Sequence, residues 1–185
     1  MPDRVATPGQ TIGPFFHYAL PFRDDSELIA NGHRDAIRLH GVVYDGAHQP
    51  VPDALIELWQ AGPDGDVIHQ PGSLSRDGWT FTGWGRAATN SAGQYRFTTL
   101  APGPTTAGRP PFFALTVFAR GLLNRLFTRA YLPDGNLGTD TLLTKLTPDR
   151  RRRLICAAEL HGYRFDIHLQ GAHETVFLDY GEAKR

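Results

Sequence analysis

The sequence predicts an all-β protein, a two-sheet antiparallel β-sandwich with an extended N-terminal arm and one short helix, folded as a single domain over residues 1–185. Three observations carry that expectation. Short segments alternate apolar and polar residues with period two, as half-buried strands do. The 20 glycines and 14 prolines are spread along the whole chain and divide these segments from one another. Only one stretch has the chemistry of a helix start.

The clearest strand is Tyr163 to Gln170. Tyr163, Phe165, Ile167 and Leu169 share one face, and Arg164, Asp166, His168 and Gln170 share the other, so the first set belongs to a core. Arg38 to Tyr44 and Ala54 to Gln60 are two more, joined by Asp45-Gly46-Ala47-His48-Gln49-Pro50, whose Asp-Gly pair predicts a hairpin reversal. Further strands are expected at Gly93 to Leu100, Phe112 to Ala119, Arg125 to Leu132 and Thr175 to Asp179. Short strands of this kind, with turn signals between them, fit two packed sheets. The helix start is Thr147-Pro148-Asp149, with threonine as N-cap, proline at the first helical position and an acid in the first turn. The run Arg150 to Arg153 that follows reads as a solvated face or a contact between subunits rather than a phosphate site. Residues 1–35 lack periodicity yet hold Phe15, Phe16, Tyr18 and Phe22, which predicts an arm that packs on a partner.

Composition bounds the function. Hydrophobic residues form 41% of the chain and charged residues 21%, ordinary values for a globular protein. The 19 basic residues balance the 19 acidic ones, so no global field favours nucleic acid or an anionic membrane surface, and an anionic ligand must be met by local charge. Cys156 is the single cysteine, which excludes an internal disulfide and a thiolate cluster and suits a cytoplasmic location. The N-terminus has no basic stretch followed by an apolar run, and no segment is apolar over a membrane-spanning length.

Self-contained chemistry is hard to find. The eight histidines form no His-x-His pair, no HExxH helix and no zinc-type Cys/His spacing. His168, on the polar face of its strand, and His161 and His173, near its ends, read as solvated or hydrogen-bonded groups. No serine sits in a GxSxG elbow, and the glycines of Gly83-Trp84-Gly85-Arg86 fit close strand packing better than a phosphate loop.

An ordered set of segments from about Thr7 to Tyr180 resembles the intradiol ring-cleavage dioxygenases. They are Thr7-Pro8-Gly9-Gln10-Thr11-Ile12-Gly13-Pro14-Phe15, Gly41 to Gly46 with Leu58-Trp59-Gln60-Ala61, and Gly85-Arg86-Ala87-Ala88-Thr89. Phe118-Ala119-Arg120-Gly121, Thr128-Arg129-Ala130-Tyr131, and Tyr163 to Ile167 through Gln170-Gly171 to Glu174-Thr175-Val176-Phe177 complete the set. Catalytic chains of that family hold a ferric ion with two tyrosines and two histidines, oxygen and nitrogen donors suited to a hard, oxidised metal. The matching positions here are Val67, Thr105, Phe112 and Ala114. Three offer no lone pair and the fourth only a neutral hydroxyl. The resemblance therefore implies a chain with no metal site and no catalytic residue of its own. Its Fe(III) would be held by an iron-bearing sister chain in a large αβ hetero-oligomer. The implied reaction is cleavage of protocatechuate between its phenolic carbons with both atoms of O2, giving 3-carboxy-cis,cis-muconate.

The resemblance also assigns substrate-binding roles. Arg129 matches an arginine that faces the substrate carboxylate, and Thr11, Gly13, Pro14 and Phe15 match an N-terminal segment lining the shared pocket. A guanidinium suits a carboxylate on chemical grounds as well. Phe15 stands where the family often has tyrosine, so a hydroxyl is missing. Arg109 aligns with an arginine that assists chemistry in the catalytic chains and reads as structural beside an emptied metal site. Two other classes stay open: a non-enzymatic sandwich used for binding or scaffolding, and a self-sufficient enzyme using its histidines with a different metal.

Overall fold

The computed structural model describes residues 16–69 and 76–180. The helices are α1 (Phe16–Ala19), α2 (Thr141–Lys145) and α3 (Pro148–Arg152). The strands are β1 (Ile37–Tyr44), β2 (Leu55–Trp59), β3 (Trp84–Ala88), β4 (Gln94–Thr99), β5 (Phe112–Phe118), β6 (Leu126–Tyr131), β7 (Ala157–Glu159), β8 (Gly162–Arg164) and β9 (Ile167–His168). They form two sheets. One has the order β4-β1-β8-β7, with β9 also paired to β1; the other has the order β3-β2-β5-β6. The ladders are antiparallel except β1 with β8 and β1 with β9.

Alternation puts one face of each sheet into a common core. Leu39, Val43, Tyr95, Phe97, Phe165 and Ile167 come from the first sheet and meet Ile56, Leu58, Phe113, Leu115, Val117 and Ala130 from the second. Each large side chain buried in this way stabilises the fold by about 1.5–3 kcal/mol. A polar tie joins the two layers: the Thr99 hydroxyl donates to Gln60 Oε1 at 2.6 Å, and Gln60 Nε2 donates to the Leu100 carbonyl at 2.9 Å. A second, smaller cluster lies outside the sandwich, where Leu143 and Leu154 pack on Tyr131 and Val176. The α3 start follows its sequence, with Thr147 Oγ1 accepting from Arg150 N at 3.4 Å. In α2, Asp140 Oδ1 caps Leu142 N at 2.8 Å and Leu143 N at 3.1 Å.

Several expectations are corrected. β1 and β2 are not a hairpin, for they lie in different sheets. The Asp-Gly turn does form: Asp45 Oδ1 accepts from Ala47 N at 2.9 Å and Gln49 N at 2.8 Å, and Tyr44 bridges Pro50. Pro50 and Pro52 have no N–H to extend that ladder, and the chain crosses to the second sheet. The long strand expected at Tyr163 to Gln170 has the core face read from its alternation, but it splits into β8 and β9. Between them the Asp166 carboxylate, rather than a main-chain carbonyl, takes the Val42 N–H at 3.0 Å. Thr175 to Asp179 forms no strand: Thr175 N donates to His168 O at 2.9 Å and Leu178 N to Phe127 O at 2.7 Å, so this segment reaches from one sheet to the other. Within the arm, Leu28 joins the core, Glu27 bridges Thr98, and Phe22 stacks on Trp84, so residues 22–28 pack on this chain's own sheets. Among the described residues no helix is long and apolar enough to cross a membrane.

Candidate functional site

The register of the second sheet aligns Trp84, Trp59, Ala114 and Arg129 in one row. Trp59 pairs with Trp84 on one side and Ala114 on the other, and Ala114 pairs with Arg129. The period-two pleat turns these side chains away from the core. Both ends of the row are covered. Over β3, Phe22 stacks on Trp84 with centroids 6.1 Å apart. There Arg86, gripped by Glu57 Oε1 at 3.1 and 2.6 Å, donates to the Leu20 carbonyl at 2.8 Å. Over β5 and β6, α2 and the segment after α3 build the small cluster around Tyr131. Between these covers runs an open strip with Trp59 50% exposed at one side and the Arg129 side chain 31% exposed at the other.

Arg129 is a charged group on this strip, and its surroundings fix its direction. Its Cζ lies 4.3 Å from the centre of the Phe112 ring, well inside cation–π range. One terminal nitrogen donates to the Tyr131 hydroxyl at 3.3 Å and lies 4.0 Å from Asp140 Oδ2. Burial pushes the Tyr131 hydroxyl up to about 12, while the Arg129 hydrogen bond and charge act against that rise. The hydroxyl is therefore protonated at any physiological pH and can accept from Arg129 while donating to Asp140.

The four positions matched to iron ligands gather at one end of this face. Ala114 stands in the row and Phe112 two residues before it on the same face. Val67 bridges Ala61, just beyond the end of β2, and is 60% exposed. Thr105 is exposed on a turn whose Gly103 N–H donates to the Gly62 carbonyl at 2.8 Å. Two aliphatic side chains, one phenyl ring already under a guanidinium and one hydroxyl do not fit a ferric ion. Among the described residues no group of three or more His, Cys, Asp or Glu could hold a metal. Elsewhere, Tyr44, His48 and His168 lie against one another, with centroids 4.5 to 5.3 Å apart and planes within 17°, and His173 lies 6.2 Å from His168. Burial and the neighbouring His48 hold His168 below its ordinary range.

The family model described as Dioxygenase matches residues 12–171. The chain belongs to the intradiol dioxygenase family. It is 36% identical over 197 aligned positions to the protocatechuate 3,4-dioxygenase alpha chain of Pseudomonas putida, covering 94% of this chain and 96% of that one. With the alpha chain of the same name from Burkholderia cepacia the identity is 34% over 192 positions, with the same coverage. The Burkholderia cepacia beta chain is 32% identical over 76% of this chain and 67% of its own length. Among solved structures, the dioxygenase domain of a carbohydrate-binding fusion from Streptomyces sp. SirexAA-E superposes with a TM-score of 0.59 at 26% identity, over 90% of this chain and 99% of that one. Intradiol dioxygenases depend on ferric iron, and the alpha and beta names of these relatives describe an enzyme of two chain types.

Of the residues assigned by resemblance, Arg129 lies on the open strip, whereas Thr11, Gly13, Pro14 and Phe15 lie outside the described residues. Arg109 is exposed beside the Thr105 turn. Sequence reasoning missed Phe112, Tyr131 and Asp140 as neighbours of Arg129. Tyr131 was within reach of it, since two residues along a strand is the same face. Asp140, directly before Thr141-Leu142-Leu143, has the form of an N-cap. Phe112 needs the β5–β6 register, which no local pattern encodes.

Proposed function

We propose that this chain is the iron-free alpha subunit of a protocatechuate 3,4-dioxygenase and completes the substrate pocket of a beta subunit that holds the ferric ion. One observation carries the reading: the chain keeps the family fold and nearly full-length likeness to alpha chains, while positions 67, 105, 112 and 114 have lost every strong ferric ligand. A ferric ion held by the partner would supply the oxygen and ring chemistry by which the pair would cleave protocatechuate with O2 to 3-carboxy-cis,cis-muconate.

This chain's own residues bind and orient. The Arg129 guanidinium, the cation of the open strip, pairs with the substrate carboxylate, for which its planar fork is suited. Thr11, Gly13, Pro14 and Phe15 line the shared pocket. Gly13, with no side chain, lets main chain approach the aromatic ring, and Phe15 supplies an apolar wall. Residues 1–185 act as one domain in a large αβ hetero-oligomer, with the arm reaching the partner, and the single buried thiol Cys156 suits the cytoplasm. Coexpression with a beta-type chain tests the reading. The copurified pair should consume protocatechuate under oxygen and this chain alone should not. Turnover by this chain alone, or failure of any pair to form, contradicts it.

A further inference from the structure

We infer that Phe112 and Tyr131 are positioning residues for substrate recognition: they form a cradle that holds the Arg129 guanidinium toward the open strip. The inference rests on the reading of Arg129 given above and goes beyond it, because it gives a new task to a position vacated by a metal ligand. Phe112 pairs with Tyr131 in the β5–β6 ladder and Ala114 pairs with Arg129. Phe112 is therefore the diagonal neighbour of Arg129 on the same face, a spacing that long and aromatic side chains span. The ring lies under the guanidinium at 4.3 Å and is itself anchored against Tyr131, with ring centroids 5.5 Å apart. A phenyl face attracts a cation without using any of its five donors.

The hydroxyl of Tyr131 fixes the remaining freedom. It takes one Arg129 N–H at 3.3 Å and belongs to a fully buried side chain, so it cannot swing away. Asp140 is held in turn, since its Oδ1 is occupied by the first turn of α2 and only Oδ2 is turned to Arg129, at 4.0 Å. Among the described residues, the Arg129 side chain has Tyr131 and Asp140 as its polar neighbours. Most of its donors are left for a ligand. Ala114, opposite Arg129 in the register and small, keeps the space beside the guanidinium clear.

A double-mutant cycle in the copurified αβ complex tests this, using Phe112→Leu, Phe112→Tyr, Tyr131→Phe, Arg129→Ala and the Phe112→Leu/Arg129→Ala pair, with melting temperatures as a check on folding. Phe112→Leu should raise KM for protocatechuate about three- to tenfold with a smaller effect on kcat, as loss of a cation–π contact implies. Phe112→Tyr, which keeps the ring face, should restore KM, and Tyr131→Phe should raise it about twofold to fourfold. In the Arg129→Ala background Phe112→Leu should add nothing, because its effect passes through Arg129. If Arg129→Ala raises KM and Phe112→Leu does not, or if the two effects simply add, the cradle is wrong and the role of Arg129 stands. If Arg129→Ala leaves KM unchanged, both fall.

Discussion

Replacing Arg129 by alanine removes the cation of the open strip and little else. Its side chain is 31% exposed and, among the described residues, hydrogen-bonds to Tyr131, while its main chain stays paired with Ala114 in the ladder. The fold should therefore survive the change. A hydrogen bond to a charged group contributes about 1.5–3 kcal/mol, and about 1.4 kcal/mol is a tenfold change in an equilibrium. The partial exposure of the strip admits water and places the effect in the lower part of that range, about 1.5–2.2 kcal/mol, so KM for protocatechuate should rise about ten- to fortyfold in the αβ complex. Catechol has the same ring and phenols without the carboxylate, and its KM should move far less. Steady-state kinetics with both substrates reads the difference directly. An equal loss with the two substrates would show that Arg129 acts on the pocket as a whole, and no loss with either would remove it from the site.

Three further outcomes follow from the fold. Gly41→Ala would drive a Cβ into the main-chain carbonyl of Phe165 and against the Tyr95 ring, at the point where β1 meets the β8–β9 break, and should cost about 3 kcal/mol by urea denaturation; a neutral substitution would refute the close approach. Phe97→Ala, in the centre of the sandwich with no exposed surface, should cost about 3–5 kcal/mol in the same assay, and under 1 kcal/mol would place Phe97 outside the core. Burial pushes both the Cys156 thiol and the Tyr131 hydroxyl up to about 12, so the folded chain keeps protons that the unfolded chain releases from about pH 8.5 upward. Stability from these groups is whole below that pH and is lost as the pH rises toward 12; the urea midpoint should fall between pH 9 and 11, less steeply in Cys156→Ala, and a flat profile contradicts the burial of these groups.

The sandwich was legible because alternation and turn residues are local signals. Arg38 to Tyr44, Gly93 to Leu100, Phe112 to Ala119 and Arg125 to Leu132 match β1, β4, β5 and β6 to within a residue or so at each end. What failed was pairing. The Asp45-Gly46 turn is local and forms, but the sheet joined by the next strand depends on Pro50 and Pro52 and on partners far along the chain. β3 was read only as close strand packing around Gly83 and Gly85, without bounds, because Trp84-Gly85-Arg86-Ala87-Ala88 has a glycine at an inward position, where a Cβ would meet Leu28 and the Asp25 carbonyl. The strand is thinned to admit residues 25–28, and that demand is tertiary.

The candidate site divides the same way. Arg129 was singled out by the resemblance of its segment, and the lack of strong donors at Val67, Phe112 and Ala114 by the positions that the same resemblance matched. Their gathering at one end of a sheet face, with Phe112 under Arg129, required the β5–β6 register. The absence of periodicity in residues 1–35 pointed to packing elsewhere, and Leu28 shows that part of the arm finds its place on this chain's own core.

The central claim is that the ferric ion belongs to the partner. Its most direct test is metal analysis of the two chains, separated after copurification and each reloaded with ferric iron under the same conditions. Iron should be retained by the beta-type chain in near-equal molar amount and not at all by this chain. Stoichiometric ferric iron on this chain, with tyrosinate-to-iron colour, would contradict the assignment of Val67, Thr105, Phe112 and Ala114 to the vacated ligand positions.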